Sequence, residues 1–115
     1  MDKLEKIKDA LLRFRDDRDW LQFHSPKNLA MAISGEAGEL IEHFQWLTEE
    51  QSLSLDSVSK KKVAEEMADI QLYLILMSDR LNIDLLAESE SKIEKNSQKY
   101  PVEKSRGNSK KYTDL

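Results

Sequence analysis

Two pairs of acids stand out among the residues able to do chemistry. Glu36 and Glu39 lie in Gly35-Glu36-Ala37-Gly38-Glu39, and Glu66 and Asp69 in Glu65-Glu66-Met67-Ala68-Asp69. In a helix, residues three apart lie about 60° from each other on neighbouring turns of one face, so each pair can aim its oxygens at a common point. Two antiparallel helices packed with these edges together would turn four carboxylates towards one cleft. A like-charged pair at ~4 Å costs about 4 kcal/mol at an effective dielectric of about 20, so such a cluster requires protonation or a cation. Oxygen donors select a hard ion, Mg²⁺, with Mn²⁺ as a possible substitute. Magnesium keeps waters and shares its shell with phosphates, which makes an acidic cleft attractive to a polyphosphate. The spacing alone leaves open that the acids are solvated face charges, because the chain carries 22 Asp and Glu. A di-iron bundle normally uses Glu-x-x-His elements. His43 follows Glu39 by four residues, and the segment around Glu66 has no histidine, which disfavours iron.

Aromatic and basic residues surround these pairs in the sequence. Trp20, Phe23 and His24 precede the first pair, Trp46 follows it, and Tyr73 follows the second. Aromatic faces with a polar-tipped histidine suit a flat heterocycle; each aromatic taken singly reads rather as core, and it is their place beside the two acid pairs that brings the binding reading level with it. Arg18 interrupts the apolar stripe of the first helix and is expected either to pair with an acid or to reach a phosphate. Lys92, Asn96 and Lys99 fall on one helical face, where they could meet phosphate oxygens or simply be solvated.

Four helices are predicted to carry these residues. The first spans residues 2–21, with Leu4, Ile7, Leu11 and Phe14 on one stripe. The second spans 25–47, with Ser25 as cap and Pro26 in the first turn. Its apolar arc is Leu29, Ile33, Leu40, Phe44 and Leu47, with Ala32, Glu36, Glu39, His43 and Trp46 along the edge. Residues 48–59 read as a polar loop with room for one helical turn. The third helix spans 59–81, and the fourth 85–98, capped by Asp84 and ending before Tyr100-Pro101. Residues 102–115 are polar and basic and read as a flexible arm. The third helix has two apolar stripes, Val63-Met67-Ile70-Leu74-Met77-Leu81 and Ala68-Leu72-Ile75-Leu76. A helix apolar on two sides must be covered on both, and a dimer seam is favoured over burial within one bundle. The expectation is an all-α four-helix bundle protomer in a homo-oligomer, with a domain over 1–101 and a tail over 102–115.

Bulk properties narrow the function. At 115 residues the chain holds one domain with a modest core. A net charge of −4 disfavours a nucleic-acid polymer as partner. The absence of cysteine excludes disulfides, thiolate zinc and thiol catalysis. The charged opening segment has no secretory apolar core, and no stretch is long enough to span a bilayer, so a cytoplasmic protein is expected.

Taken together, the motifs resemble the dCTP pyrophosphatase branch of the MazG-like superfamily. The resemblance is carried by Asp19-Trp20-Leu21-Gln22-Phe23-His24, Pro26-Lys27-Asn28-Leu29, Gly35-Glu36-Ala37-Gly38-Glu39-Leu40 and Phe44-Gln45-Trp46. It continues through Glu65-Glu66 to Asp69, Tyr73-Leu74, Lys92, Asn96-Ser97-Gln98-Lys99-Tyr100-Pro101 and Lys111-Tyr112-Thr113-Asp114-Leu115. The superfamily's Glu-x-x-Glu and Glu-x-x-Asp signature is met by Glu36, Glu39, Glu66 and Asp69. His43 and the serine-rich loop fall outside it. The resemblance implies an all-α homo-oligomer, a dimer or a tetramer built as a dimer of dimers. It implies hydrolysis of a nucleoside triphosphate at the α–β anhydride to monophosphate and pyrophosphate, with dCTP or a modified dCTP as substrate. Glu36, Glu39, Glu66 and Asp69 would be the catalytic metal ligands. Trp20, His24, Trp46 and Tyr73 would line the base pocket, and Lys92, Asn96 and Lys99 would hold phosphates. A tail matching the family is also expected to be more than a loose arm. A broad-specificity pyrophosphatase and a non-catalytic helical scaffold are the competing readings.

Overall fold

The computed structural model describes residues 1–115, all of them helical, turn or coil, with no strand. Six α-helices follow in order: α1 (Lys3–Asp17), α2 (Pro26–Glu42), α3 (Glu49–Ser52), α4 (Ser57–Leu81), α5 (Leu85–Lys99) and α6 (Val102–Ser105). Short 3-10 turns occur at Leu21–Phe23 and Tyr112–Asp114. The chain divides into two compact units, Met1–Asn82 and Ile83–Leu115. No helix is long and apolar enough to cross a membrane.

Local chemistry explains where the helices begin. Asp2 and Glu5 form a capping box that opens α1. Ser25 accepts from the Asn28 amide and Pro26 takes the first position of α2. Thr48 and Gln51 cap α3 reciprocally, Asp56 caps α4 and Asp84 caps α5.

The ends differ from sequence expectation by more than two residues in two places. The first helix stops at Asp17, not at residue 21, because Asp19 adopts a left-handed φ of 54°. Aspartate tolerates that conformation, and Gln22 donates to both its backbone and its carboxylate oxygens. The second helix stops at Glu42, so Phe44 and Trp46 sit in a turn, not on the predicted helical edge. The tail also departs from the flexible arm that composition predicts. Within the second unit Tyr112 meets Tyr100 edge-on at 6.1 Å, and the Lys99 ammonium lies 4.9 Å from the Tyr112 ring centre.

In the first unit α2 packs chiefly against α4, and α1 lies more lightly on α4. The apolar core consists of Leu29, Val63, Ile75 and Leu76. The two apolar stripes of α4 are thus unequally covered. Met67, Leu74 and Leu81, spaced by seven, are 59%, 38% and 43% exposed.

The link between α1 and α4 is ionic. Arg15 is only 6% exposed. Its Nε donates to Asp16 at 2.8 Å and its Nη1 to Asp79 at 3.1 Å. Lys8 approaches the other Asp79 oxygen at 3.8 Å. Both aspartates hold the Arg15 guanidinium above its usual range, the Asp16 bond most strongly. Arg18, expected to pair with an acid or reach a phosphate, makes no ion pair with an acid of the chain. It donates to the Phe14 carbonyl and lies 3.7 Å over the Phe14 ring. Removing one partner of a buried charge costs more than the pair contributes. Asp79→Ala is expected to lower unfolding stability by about 2 kcal/mol, and Arg15→Met with Asp79→Leu to recover most of it. Urea denaturation of the two variants checks this, and equal losses in both would contradict it.

Candidate active site on the acidic edges of α2 and α4

The packing of α2 against α4 decides where the four acids go. Glu36 and Glu39 project from successive turns of α2, and Glu66 from α4. One ligand oxygen from each of the three lies within 4.8 Å of the others. Asp69, one turn beyond Glu66, shares a cleft with Glu36, and its charge acts on that carboxyl. Glu36 and Glu66 each leave one buried Oε2 with no hydrogen-bond partner. An orphaned buried carboxylate oxygen is costly unless something unseen in the protein satisfies it. Two of them in one oxygen-donor cluster fit a hard cation.

The electrostatics agree. Burial, the approach of Glu66 and Glu39, and the charges of Glu39 and Asp69 push the Glu36 carboxyl from its ordinary 4.5 up to about 7. Without a cation, the cluster therefore keeps a proton near neutrality.

A cleft of about 250 Å³ opens beside the acids. Leu11, Phe14, Arg15, Trp20, His24, Glu36, Asp69, Leu72, Tyr73 and Leu76 line it. The left-handed turn at Asp19 delivers Trp20 to this wall. Trp20 stands edge-on to Phe14 at 5.5 Å and 6.4 Å from the His24 ring. His24 Nδ1 is buried and free of partners. Burial, then the charges of Arg15 and Arg80, lower the His24 pKa and favour the neutral ring. A neutral imidazole with an unused nitrogen can donate or accept at the edge of a heterocycle.

The structure thus brings Glu36, Glu39, Glu66, Asp69, Trp20, His24 and Tyr73 together. Trp46 stays 87% exposed and outside the cleft of its own chain, because the turn after Glu42 carries it off the α2 edge. Lys92, Asn96 and Lys99 lie on α5, in the second unit. Sequence reading missed Arg15 as a cleft residue. The signal was present: Arg15 follows Leu11 by four and so continues the apolar stripe of α1.

The raised Glu36 pKa has a definite sign. Between pH 4.5 and about 7 the folded chain retains a proton that the unfolded chain releases. Stability from this group is complete below 4.5 and is lost as pH rises to about 7. Thermal melts without divalent cation should show that decline, with Glu36→Gln flattening it. Millimolar Mg²⁺ should raise the melting temperature above pH 7 more than at pH 5. A Mg²⁺ effect independent of pH would contradict the assignment.

Residues 31–115 match the MazG-like family. The dCTP pyrophosphatase 1 of Rattus norvegicus is 42% identical over 114 residues, covering 97% of this chain and 67% of that protein. That of Homo sapiens is 39% identical over 114 residues, with 97% and 67% covered. A crystal structure of a pyrophosphatase from Archaeoglobus fulgidus superposes with a TM-score of 0.83 at 40% identity, covering 88% of this chain and 94% of that one. On motif, sequence and fold together, this chain belongs to the MazG-like family.

Proposed function

We propose that the protein is a magnesium-dependent nucleoside triphosphate pyrophosphohydrolase, acting on dCTP or a modified dCTP and releasing monophosphate and pyrophosphate. The observation that carries this reading is the convergence of three carboxylate oxygens within 4.8 Å, beside an aromatic cleft shared by Glu36 and Asp69. The two dCTP pyrophosphatases with about 40% identity over nearly the whole chain support the substrate class.

In this reading Glu36, Glu39, Glu66 and Asp69 hold the ion. When bound, magnesium neutralises phosphate charge and lowers the pKa of bound water. Trp20 and Tyr73 bracket the base, and the free His24 Nδ1 reads its edge. Lys92, Asn96 and Lys99 are assigned to phosphate oxygens by their match to the family. A carboxylate of the cluster orients the attacking water and accepts its proton. Attack at the α-phosphorus expels pyrophosphate, and no covalent enzyme intermediate is required. A scaffold protein would not need unpartnered acids beside an aromatic cleft.

We also propose a homo-oligomer, a dimer or dimer of dimers. Exposed Met67, Leu74 and Leu81 form a half-seam on α4, and Met31 and Ile41 are exposed on α2. Trp46 would line a base pocket only in an assembly that brings it to a cleft.

Glu36→Ala and Asp69→Ala should each reduce turnover by at least about 10³-fold while circular dichroism stays helical. A panel of canonical and modified nucleotides with Mg²⁺, assayed separately for pyrophosphate and orthophosphate, tests the bond cleaved. Pyrophosphate with dCTP-like substrates preferred is expected; orthophosphate would contradict the reading. Equal rates on all bases would favour the broad-specificity alternative.

A further inference from the structure

His43 has no part in the site described so far, yet it touches it. It closes α2, its backbone N–H reaching the Leu40 and Ile41 carbonyls. Its half-buried Nε2 stands 3.9 Å from Glu66 Oε1. His43 is the one basic side chain within 4.0 Å of Glu66. The second oxygen of the same carboxylate, Oε2, is buried and unpartnered. Glu66 therefore faces an imidazole on one side and offers a bare oxygen on the other.

We propose that His43 is a positioning residue for the cation site: its Nε2–H holds Glu66 Oε1 and thereby presents Oε2 to the ion. The inference rests on the magnesium reading above. His43 is not among the residues whose ligand atoms converge within 4.8 Å, so it acts on Glu66 and not on the ion. Its separation from Glu66 is an ion-pair distance, longer than an N–H···O bond by about 1 Å. Hydrogen bonds in a site without its ligand are commonly long and tighten on loading. A glutamate on a helix has three side-chain torsions to fix before it can serve as a ligand, and a donor on one oxygen fixes them in advance. The C-terminal end of α2 also favours a donor at this place.

Calorimetric titration of the full-length protein with MgCl₂, without nucleotide and at fixed pH, tests the role. Three proteins are compared: the unmodified chain, His43→Leu, which keeps bulk without a donor, and His43→Gln, which restores an N–H at similar reach. His43→Leu is expected to weaken Mg²⁺ affinity about tenfold, and His43→Gln to stay within about threefold of the unmodified chain. Melting temperatures without metal should be alike in all three. His43→Leu binding within about twofold of the unmodified chain would overturn the proposal. So would His43→Gln as weak as His43→Leu, since the donor would then be irrelevant. Absence of Mg²⁺ binding by the unmodified chain would overturn the magnesium reading itself, and this inference with it.

Discussion

Carboxylates that converge in a half-buried place repel one another, and the arrangement of the first unit follows from that constraint. Three oxygens within 4.8 Å cannot all carry full charge without compensation. The chain's own groups supply little. His43 lies at ion-pair distance from one acid, and Glu36 retains a proton near neutrality. In the proposed reading a hard cation completes the compensation, and it would make an otherwise acidic protein a receptor for a polyphosphate.

The scaffold is spare for the task. Four apolar residues form the core, all on α2 and α4. These two helices carry the acids, so the packing that stabilises the unit is also the packing that assembles the site. The first helix contributes differently. Its buried Arg15 is tied to Asp79 of α4, and its last turn holds Phe14, which with Trp20 forms one wall of the cleft. The turn at Asp19 connects the ionic link to the aromatic wall: it ends α1 and swings Trp20 beside His24.

Much of this was legible in the sequence, for reasons that can be named. The i, i+3 acid pairs and the apolar arcs beside them are helical properties, and helical geometry is fixed enough for wheel positions to survive into three dimensions. The caps at Ser25 and Asp84 are read from residue type alone. What escaped depends on single backbone conformations and on long-range pairing. A left-handed Asp19 cannot be inferred from an aspartate in a charged run, so the sequence carries the end of α1 too far. The early end of α2 has no glycine or proline to announce it, and Trp46 left the predicted edge in consequence. Arg15 needed its partner Asp79, 64 residues away, before a cation in an apolar stripe made sense.

The most direct test is where a metal sits. Crystals of the protein soaked in MnCl₂ and measured at the manganese absorption edge would locate the ion by anomalous scattering. The account predicts a peak between α2 and α4, bounded by oxygens of Glu36, Glu39, Glu66 and Asp69 at about 2.1–2.2 Å. A peak elsewhere, or none with these carboxylates protonated or turned to solvent, would contradict it.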